Sequence, residues 1–507
     1  MICRRREEHN RLSESRVMIK KENIYRISIL LYAVLNLVLL MHHEAWRDEA
    51  QAWTISRNLD MHEIIQLLPT EGHFLPFFLI LKTWYKLGGS FAGIGYISLT
   101  IMTITVGLFF YKAPFPVWTK ELIAFSPVFF YYNAVISRCY SIVALALVLT
   151  AITRKKKSEN CLAYCLSIAF LMQTHILVVP LAIMLCAELI INIVTRGSDR
   201  IQIAEVCIPA GSLILAFLEV YQKNDAAFIT FGTILNNFET TGLNVIRKNL
   251  ETIVSWVYGT GRIYHMVIPL MILVFIAICC QIVWRIRIKK RLSPELIVCS
   301  FGIVGYLAII AFVRPCGHIQ MALVFYMLLL FAAWIMEDSH NDETLRDEKG
   351  SAISKQSFDT ITKSVVAVSL VLVLLFSYKH EIMDTLFDYF HNYSNSKTMA
   401  YKVVNNLPEN SMVLIRQEDT KISSPYAYIM DNRDDIVFWD VDENTEFKCI
   451  IWGKTYPDKD LSVFTAGSTE NCYYLSSIKK DDIGTPILFA EDENIWDEQY
   501  YLYALTS

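Results

Sequence analysis

The stretch Trp46-Arg47-Asp48-Glu49-Ala50-Gln51-Ala52-Trp53 stands directly after an apolar run over residues 23–41 and the pair His42-His43. That run approaches the about 20 apolar residues that carry a helix across a hydrocarbon core. A polar, basic start precedes it, with Arg4-Arg5-Arg6 and Lys20-Lys21, and no small-residue cleavage site follows it. The pattern predicts an uncleaved first transmembrane helix rather than a removed signal peptide. Two adjacent carboxylates and an arginine then emerge at its far end. Neighbours on a helix point about 100° apart, so Asp48 and Glu49 must have different jobs. One is aimed at a cleft, and the other pairs with Arg47 or caps the helix. The plainer reading is a helix N-terminus favoured by two acids at the positive dipole end.

The rest of the chain fits a membrane protein. Of 507 residues, 54% are hydrophobic and 19% charged, against about 45–50% and about 25% in soluble domains. Further apolar runs cover 91–110, 122–132, 140–152, 161–174, 176–194, 203–220, 266–284, 296–313, 319–336 and 364–377. Charge is divided unevenly. Residues 380–507 hold 23 acidic and 10 basic side chains, while the whole chain is only −4. A basic, apolar body and an acidic, polar tail predict a membrane domain joined to a water-soluble one. Nothing in this balance is a nucleic-acid signature.

Lys and Arg in short loops mark the cytoplasmic side. They cluster at the N-terminus, at Lys112 and Lys120, at Arg154-Lys155-Lys156-Lys157, at Arg196 and Arg200, and over 285–291. Eleven spans with a cytoplasmic start satisfy every cluster and put the tail outside. Residues 74–87 are then a short helix in the outer interface, with Lys82 and Lys86 reaching the headgroups. The expected division is a cytoplasmic segment 1–23, a membrane catalytic domain 24–336, a flexible cytoplasmic linker 337–363, a last span 364–378 and an extracytoplasmic domain 379–507. Strand-like runs at 412–416, 436–439, 447–452, 472–475, 486–490 and 499–504 predict a small α/β fold for that domain. Most of the 12 cysteines sit in apolar runs as buried hydrophobes. Cys449 and Cys472 could pair in an extracytoplasmic tail.

On this topology the outer face collects His42 to Ala50, Glu71-Gly72-His73, Asn133 to Tyr140, Gln173-Thr174-His175, and Arg314-Pro315-Cys316-Gly317-His318. Ionisable groups near membrane depth are costly and are functional candidates by default. For any one of them, an interfacial anchor is the plainer reading. Convergence on one face is what favours a site.

Arg47-Asp48-Glu49-Ala50, followed by Gly72-His73-Phe74-Leu75-Pro76, resembles the first extracytoplasmic loop of the GT-C glycosyltransferases. These polytopic enzymes, among them protein O-mannosyltransferases and the lipid A aminoarabinose transferase, use sugars linked to lipid phosphates. Ser137-Arg138-Cys139-Tyr140-Ser141 resembles the Ser/Ala-Arg-X-Tyr-Ser segment of bacterial members, and Thr174-His175 a Thr-His at the start of a later helix. Arg314 and His318 resemble an Arg and His near a late span. The resemblance covers about 25–336. The chain departs from it where the family often has His-Pro-Pro, and the tail shares none of it.

The resemblance implies an integral-membrane transferase in the plasma membrane. It would move a sugar from a polyprenyl-phosphate donor to an extracytoplasmic glycan, lipid or protein acceptor, with inversion. The leaving phosphate needs no acid, unlike the carboxylate pair of glycosidases. It needs cations, which Arg138, Arg314 or His318 could supply. Asp48 is then the acceptor's general base and Glu49 its orienting neighbour. Arg47, His73, Tyr140 and His175 complete the expected substrate site. His42, His43, Asp48 and Glu49 could instead hold a divalent cation, which would polarise the phosphate. Phe228, Phe231, Phe238, Trp256 and Tyr258 suggest a covering amphipathic helix or an interfacial anchor. The alternatives are a lipid or glycan flippase or transporter, and a non-catalytic scaffold. No paired repeat of the transporter kind is visible.

Orientation is directly measurable. In a cysteine-free background, Lys156→Cys should resist an impermeant thiol reagent on intact cells and react after permeabilisation. Labelling from outside would overturn the topology.

Overall fold

A computed structural model of the chain describes residues 2–157, 159–196, 203–221, 294–312, 319–346 and most of 382–505. Helix α1 (Ile2–Leu40) is one rod of 39 residues, so the polar start is continuous with the first apolar run. Three short helices follow. They are α2 (Arg47–Asn58), α3 (Met61–Glu71) and α4 (Leu75–Lys86). At 1.5 Å per residue, the 12 residues of α4 reach about 18 Å, well short of the hydrocarbon core of about 30 Å. The reading of 74–87 as a short helix agrees with this length. Pro76 falls in the first turn of α4, where its missing N–H costs nothing.

Next come α5 (Ile94–Lys112), α6 (Val117–Ala124), α7 (Tyr140–Lys155), α8 (Cys161–Met172), α9 (Val179–Arg196), α10 (Ile203–Val220), α11 (Pro294–Phe312) and α12 (Ile319–Arg346). Four described stretches are long and apolar enough to cross a membrane: Ile19–Leu40, Phe91–Lys112, Ile176–Val194 and Ile203–Val220. The run 122–132 is not one helix. α6 ends before Pro127, and a wide π-type turn takes Val128–Tyr132, closed by Asn133 N–H donating to Val128 O (3.2 Å). Proline removes a donor and turns the preceding residue away from helix, which explains the break. The segment 337–363 starts as helix, because α12 continues to Arg346. The runs 266–284 and 364–377, and the aromatic residues from Phe228 to Tyr258, lie outside the described residues.

Helices α9 and α11 cross closely. A Cβ on Gly305 would stand 2.5 Å from the Cβ of Pro180, so only glycine fits this approach. One end of the bundle carries ion pairs. Arg154 holds Glu188 through two nitrogens (3.0 and 2.6 Å) and Glu295 through one (2.9 Å), and Lys155 holds Asp338 (2.6 Å). The other end of α7 begins at Tyr140, within the cluster of residues described below.

The tail contains α13 (Ser396–Asn406) and α14 (Ser423–Met430) with a six-stranded mixed sheet. Its strands are β1 (Met412–Ile415), β2 (Val437–Asp440), β3 (Thr445–Glu446), β4 (Cys472–Ser476), β5 (Leu488–Ala490) and β6 (Tyr500–Ala504), in the order β3-β2-β1-β4-β6-β5. β1 runs parallel to β2 and β4, and the outer pairings are antiparallel. The small α/β fold read from the strand pattern is therefore present.

Residues 447–452 are not a strand, although their apolar pattern predicts one. Phe447, Cys449 and Ile450 are buried, but beyond Phe447 the backbone of 449–451 pairs with side-chain amides. Gln51 donates to Ile450 O (2.7 Å) and accepts from Ile450 N–H (3.2 Å). Gln417 does the same across Cys449 O (3.1 Å) and Ile451 N–H (2.8 Å). A primary amide presents the same donor and acceptor as a peptide unit, so it satisfies buried backbone without a ladder. This segment joins the tail to α2. Cys449 and Cys472 are free thiols in two different apolar clusters.

Further contacts seat the tail on the loop after α1. Ala45 N–H donates to Tyr428 Oη (2.9 Å), Ser424 donates to Ala45 O (3.0 Å), and Arg57 donates to Met430 O (2.8 Å). The tail and this loop therefore occupy the same end of the helical body.

Candidate functional site

Glu49 organises the entry to α2. It is 1% exposed. Its Oε2 accepts the N–H of Trp46, the N-cap residue (3.1 Å). Trp46 offers no side-chain acceptor in return, so only half of a capping box forms. Oε1 accepts the Ser137 N–H (2.6 Å), which ties α2 to the turn carrying Arg138. His43 Nε2 adds a third contact, to Oε2 (3.1 Å). His43 Nδ1 meets Asp388 Oδ2 of the tail (2.8 Å), which also accepts the Tyr131 hydroxyl (2.7 Å). Burial alone would lower His43, but Asp388 and Glu49 outweigh it and lift the imidazole to about 10. An imidazolium between two carboxylates thus joins loop, turn and tail.

Asp48 points elsewhere. Its Oδ1 accepts from Arg47 Nε (2.9 Å) and its Oδ2 from Arg138 Nη1. It keeps 15% side-chain exposure, Arg47 25% and Arg138 13%. Arg47 also lies over the rings of Trp46 (5.4 Å) and the tail's Trp452 (5.8 Å). The two acids therefore divide as their helical offset requires. Glu49 caps and clamps, while Asp48 faces the guanidinium groups. Glu49, expected among the catalytic residues, is turned inward and held by three donors, which suits positioning rather than proton transfer.

Arg138 collects the other expected residues. Nη2 donates to His73 Nε2 (3.0 Å), and the guanidinium stands over Tyr140 at 5.5 Å. Burial alone would lower Arg138, and the Asp48 carboxylate more than compensates, so its proton is held above the usual range. Gly72 ends α3 with φ of 70°, a left-handed cap that glycine adopts without strain. It delivers His73 to an antiparallel bridge with His175. The two imidazoles lie 5.1 Å apart, and His175 lies 5.3 Å from Tyr140. Burial, then Arg138, pushes His175 down to about 3, so it is neutral.

Cys139, the N-cap residue of α7, completes the group. Its Sγ is 3.3 Å from His73 Nδ1, and burial pushes the thiol up to about 12 against the pull of Arg138. His73, Cys139 and His175 present ligand-type atoms all within 4.8 Å of one another.

Asp48, His73, Arg138, Tyr140 and His175 are therefore contiguous, with Arg47 attached through Asp48. Arg314 and His318 lie outside the described residues. The divalent set of His42, His43, Asp48 and Glu49 does not converge. His42 packs on Tyr389 at 4.4 Å, His43 is held by Glu49 and Asp388, and Asp48 is held by Arg47 and Arg138. Asp388, 345 positions from His43, carries no local signal that marks it as a partner. Glu71, collected with His73 on the same face but given no role, accepts from Gln51 Nε2 (2.9 Å). Burial raises the Glu71 carboxyl to about 7, opposed by Gln51, the Trp452 indole and Arg138.

The His43 bridge has a pH signature. Its folded value lies above its usual 6.5. Its contribution to stability is complete below about pH 6.5 and is lost as pH rises through about 10. His43→Gln should cost about 3–5 kcal/mol at pH 7, by leaving two buried carboxylates face to face. It should also flatten the fall in unfolding temperature between pH 7 and 10, measured in detergent. Parallel curves for the two proteins would contradict the bridge.

No protein-family model matches this chain, and no curated protein matches it.

Proposed function

We propose that the chain is a membrane glycosyltransferase of the GT-C kind with eleven spans. It moves a sugar from a polyprenyl-phosphate donor to a glycan, lipid or protein acceptor on the extracytoplasmic side of the plasma membrane. The observation that carries this reading is the Asp48–Arg138 pair at the junction of the apolar helices and the tail. A carboxylate suited to an acceptor hydroxyl and a cation suited to a leaving phosphate meet at one place.

In the proposed reaction the acceptor oxygen attacks the anomeric carbon as the bond from that carbon to the phosphate oxygen breaks. The phosphate leaves with the electron pair, and because the acceptor attacks the opposite face in a single displacement, the anomeric centre inverts. The acceptor proton passes to Asp48. Arg138 is both the partner of Asp48 and the cation for the phosphate. Donor phosphate competes for it, and its arrival frees the carboxylate toward the acceptor while Arg47 keeps the carboxylate in place. Arginine suits this exchange because its planar fork presents parallel donors. The tail's Trp452 lies against Arg47, which supports a part for the tail in receiving the acceptor. Membrane lipids surround the donor's isoprenyl chain.

The test supplies purified protein with a panel of radiolabelled polyprenyl-phosphate sugars and membrane acceptor fractions. Release of free polyprenyl phosphate is read. Asp48→Asn, which keeps shape and loses the proton acceptor, should lower turnover by about 10²-fold or more. Donor binding should persist. Wild-type turnover in folded Asp48→Asn would remove the base assignment. Absence of release from every donor by the wild type would favour the flippase or transporter reading.

A further inference from the structure

The helical turns at 384–390, where the tail begins, are amphipathic in the wrong sense for water. Asp384 and Asp388 stand one turn apart on one side. Asp388 is 2% exposed and is held by Tyr131 and His43. Asp384 accepts the Tyr132 hydroxyl (2.6 Å). On the other side Ile382, Leu386 and Phe390 follow at intervals of four residues, and all three are exposed, Phe390 to 70%. A helix in water buries its apolar stripe and turns its charges out. Here the acids face protein and the apolar stripe faces outward.

The level of this segment along α1 accounts for the inversion. Tyr32 lies eight residues before Leu40, the end of α1, or about 12 Å along the axis. Its hydroxyl donates to Phe129 O (2.5 Å), in the π-type turn that also carries Tyr131 and Tyr132. The tyrosines that hold the two acids are therefore rooted beside the last third of α1. Tyr389 packs on His42, just past the end of α1 (4.4 Å). Met41 and Phe390, the chain neighbours of that pair, are each 70% exposed. Val34 and Val38 are exposed on α1 as well, within the stretch Ile19–Leu40 that is long and apolar enough to cross a membrane. The stripe on 382–390 thus continues an apolar surface that already belongs to a span.

We propose that Ile382, Leu386 and Phe390 form a lipid-contacting surface, covered by the acyl chains of the leaflet that surrounds this end of α1. Lipid contact then reaches twelve residues beyond residue 378, where hydropathy ends the last span. Hydropathy stops early because it averages over both sides of a helix, so Asp384 and Asp388 cancel the stripe. Carboxylates at such depth are costly and are kept with partners, which two tyrosine hydroxyls and His43 supply. The bridge from Glu49 through His43 to Asp388 therefore lies at the membrane boundary, and the water-soluble fold begins after Phe390. None of this depends on glycosyl transfer.

The experiment reads the surroundings of single side chains in a bilayer. Leu386→Cys and Phe390→Cys, each in the cysteine-free full chain, are spin-labelled and reconstituted into vesicles of phosphatidylethanolamine and phosphatidylglycerol. Tyr401→Cys, on α13 and 72% exposed, gives the comparison within the water-soluble fold. Oxygen concentrates in hydrocarbon, whereas a polar nickel chelate, present on both sides of the vesicles, stays out of it. Labels at 386 and 390 should keep their collisions with oxygen and lose those with the chelate, and the label at 401 should collide with the chelate. Chelate collisions at 386 and 390 as frequent as at 401 would overturn the proposal by placing the stripe in water. Loss of collisions with both reagents would overturn it equally, because a second copy of the chain, or another segment of this one, would then cover the stripe. Both positions are exposed, and the unfolding temperature of each labelled protein in detergent reports that it is folded.

Discussion

One buried carboxylate, that of Glu49, holds together three parts of the chain that are far apart in sequence. It takes the N–H at the entry to α2, the N–H of Ser137 and a nitrogen of His43. A buried charge is tolerated only when it is paired and hydrogen-bonded. Here its partners are the loop, the Arg138 turn and, through His43 and Asp388, the tail. The positions of Asp48 and Arg138 follow from that arrangement. Asp48 is thrown to the other side of α2, and Ser137 is drawn to Glu49. Arg138 comes one residue after Ser137 and so lands on Asp48.

The tail has a structural part in the site. Its segment 447–452 is bound by Gln51 and Gln417 in place of a strand neighbour, and Trp452 rests against Arg47. Gln51 also holds Glu71, one residue before the glycine that delivers His73. The same amide therefore touches the tail and the support of the histidine. The tail is thus packed directly against the residues around Asp48.

Much of this was legible in the chain. Charged and aromatic residues at the predicted outer ends of apolar runs pointed to Asp48, His73, Arg138, Tyr140 and His175. These five do come together, because α2, the end of α3, the start of α7 and the turn before α9 meet at one end of the helical body. The acidic, strand-patterned tail was legible for the same reason, since alternation and turns are local signals. Long-range pairing was not. Nothing near Asp388 marks it as the partner of His43, and no spacing rule joins Cys139 to His73 and His175. The run 447–452 misled because burial, which its apolar pattern reports, does not specify what satisfies the backbone. The run 122–132 misled because hydropathy is blind to the break at Pro127.

The most direct measurement is amide hydrogen exchange on Glu49→Gln, since exchange reads local opening segment by segment. The amide NH₂ cannot accept all three donors and removes a counter-charge from His43. The predicted result is faster exchange in three separated stretches together, 46–51, 137–140 and 384–393. The strands at Leu414 and Leu475 should be unaffected. Faster exchange confined to the start of α2, with the Arg138 turn and the tail segment unchanged, would contradict the account.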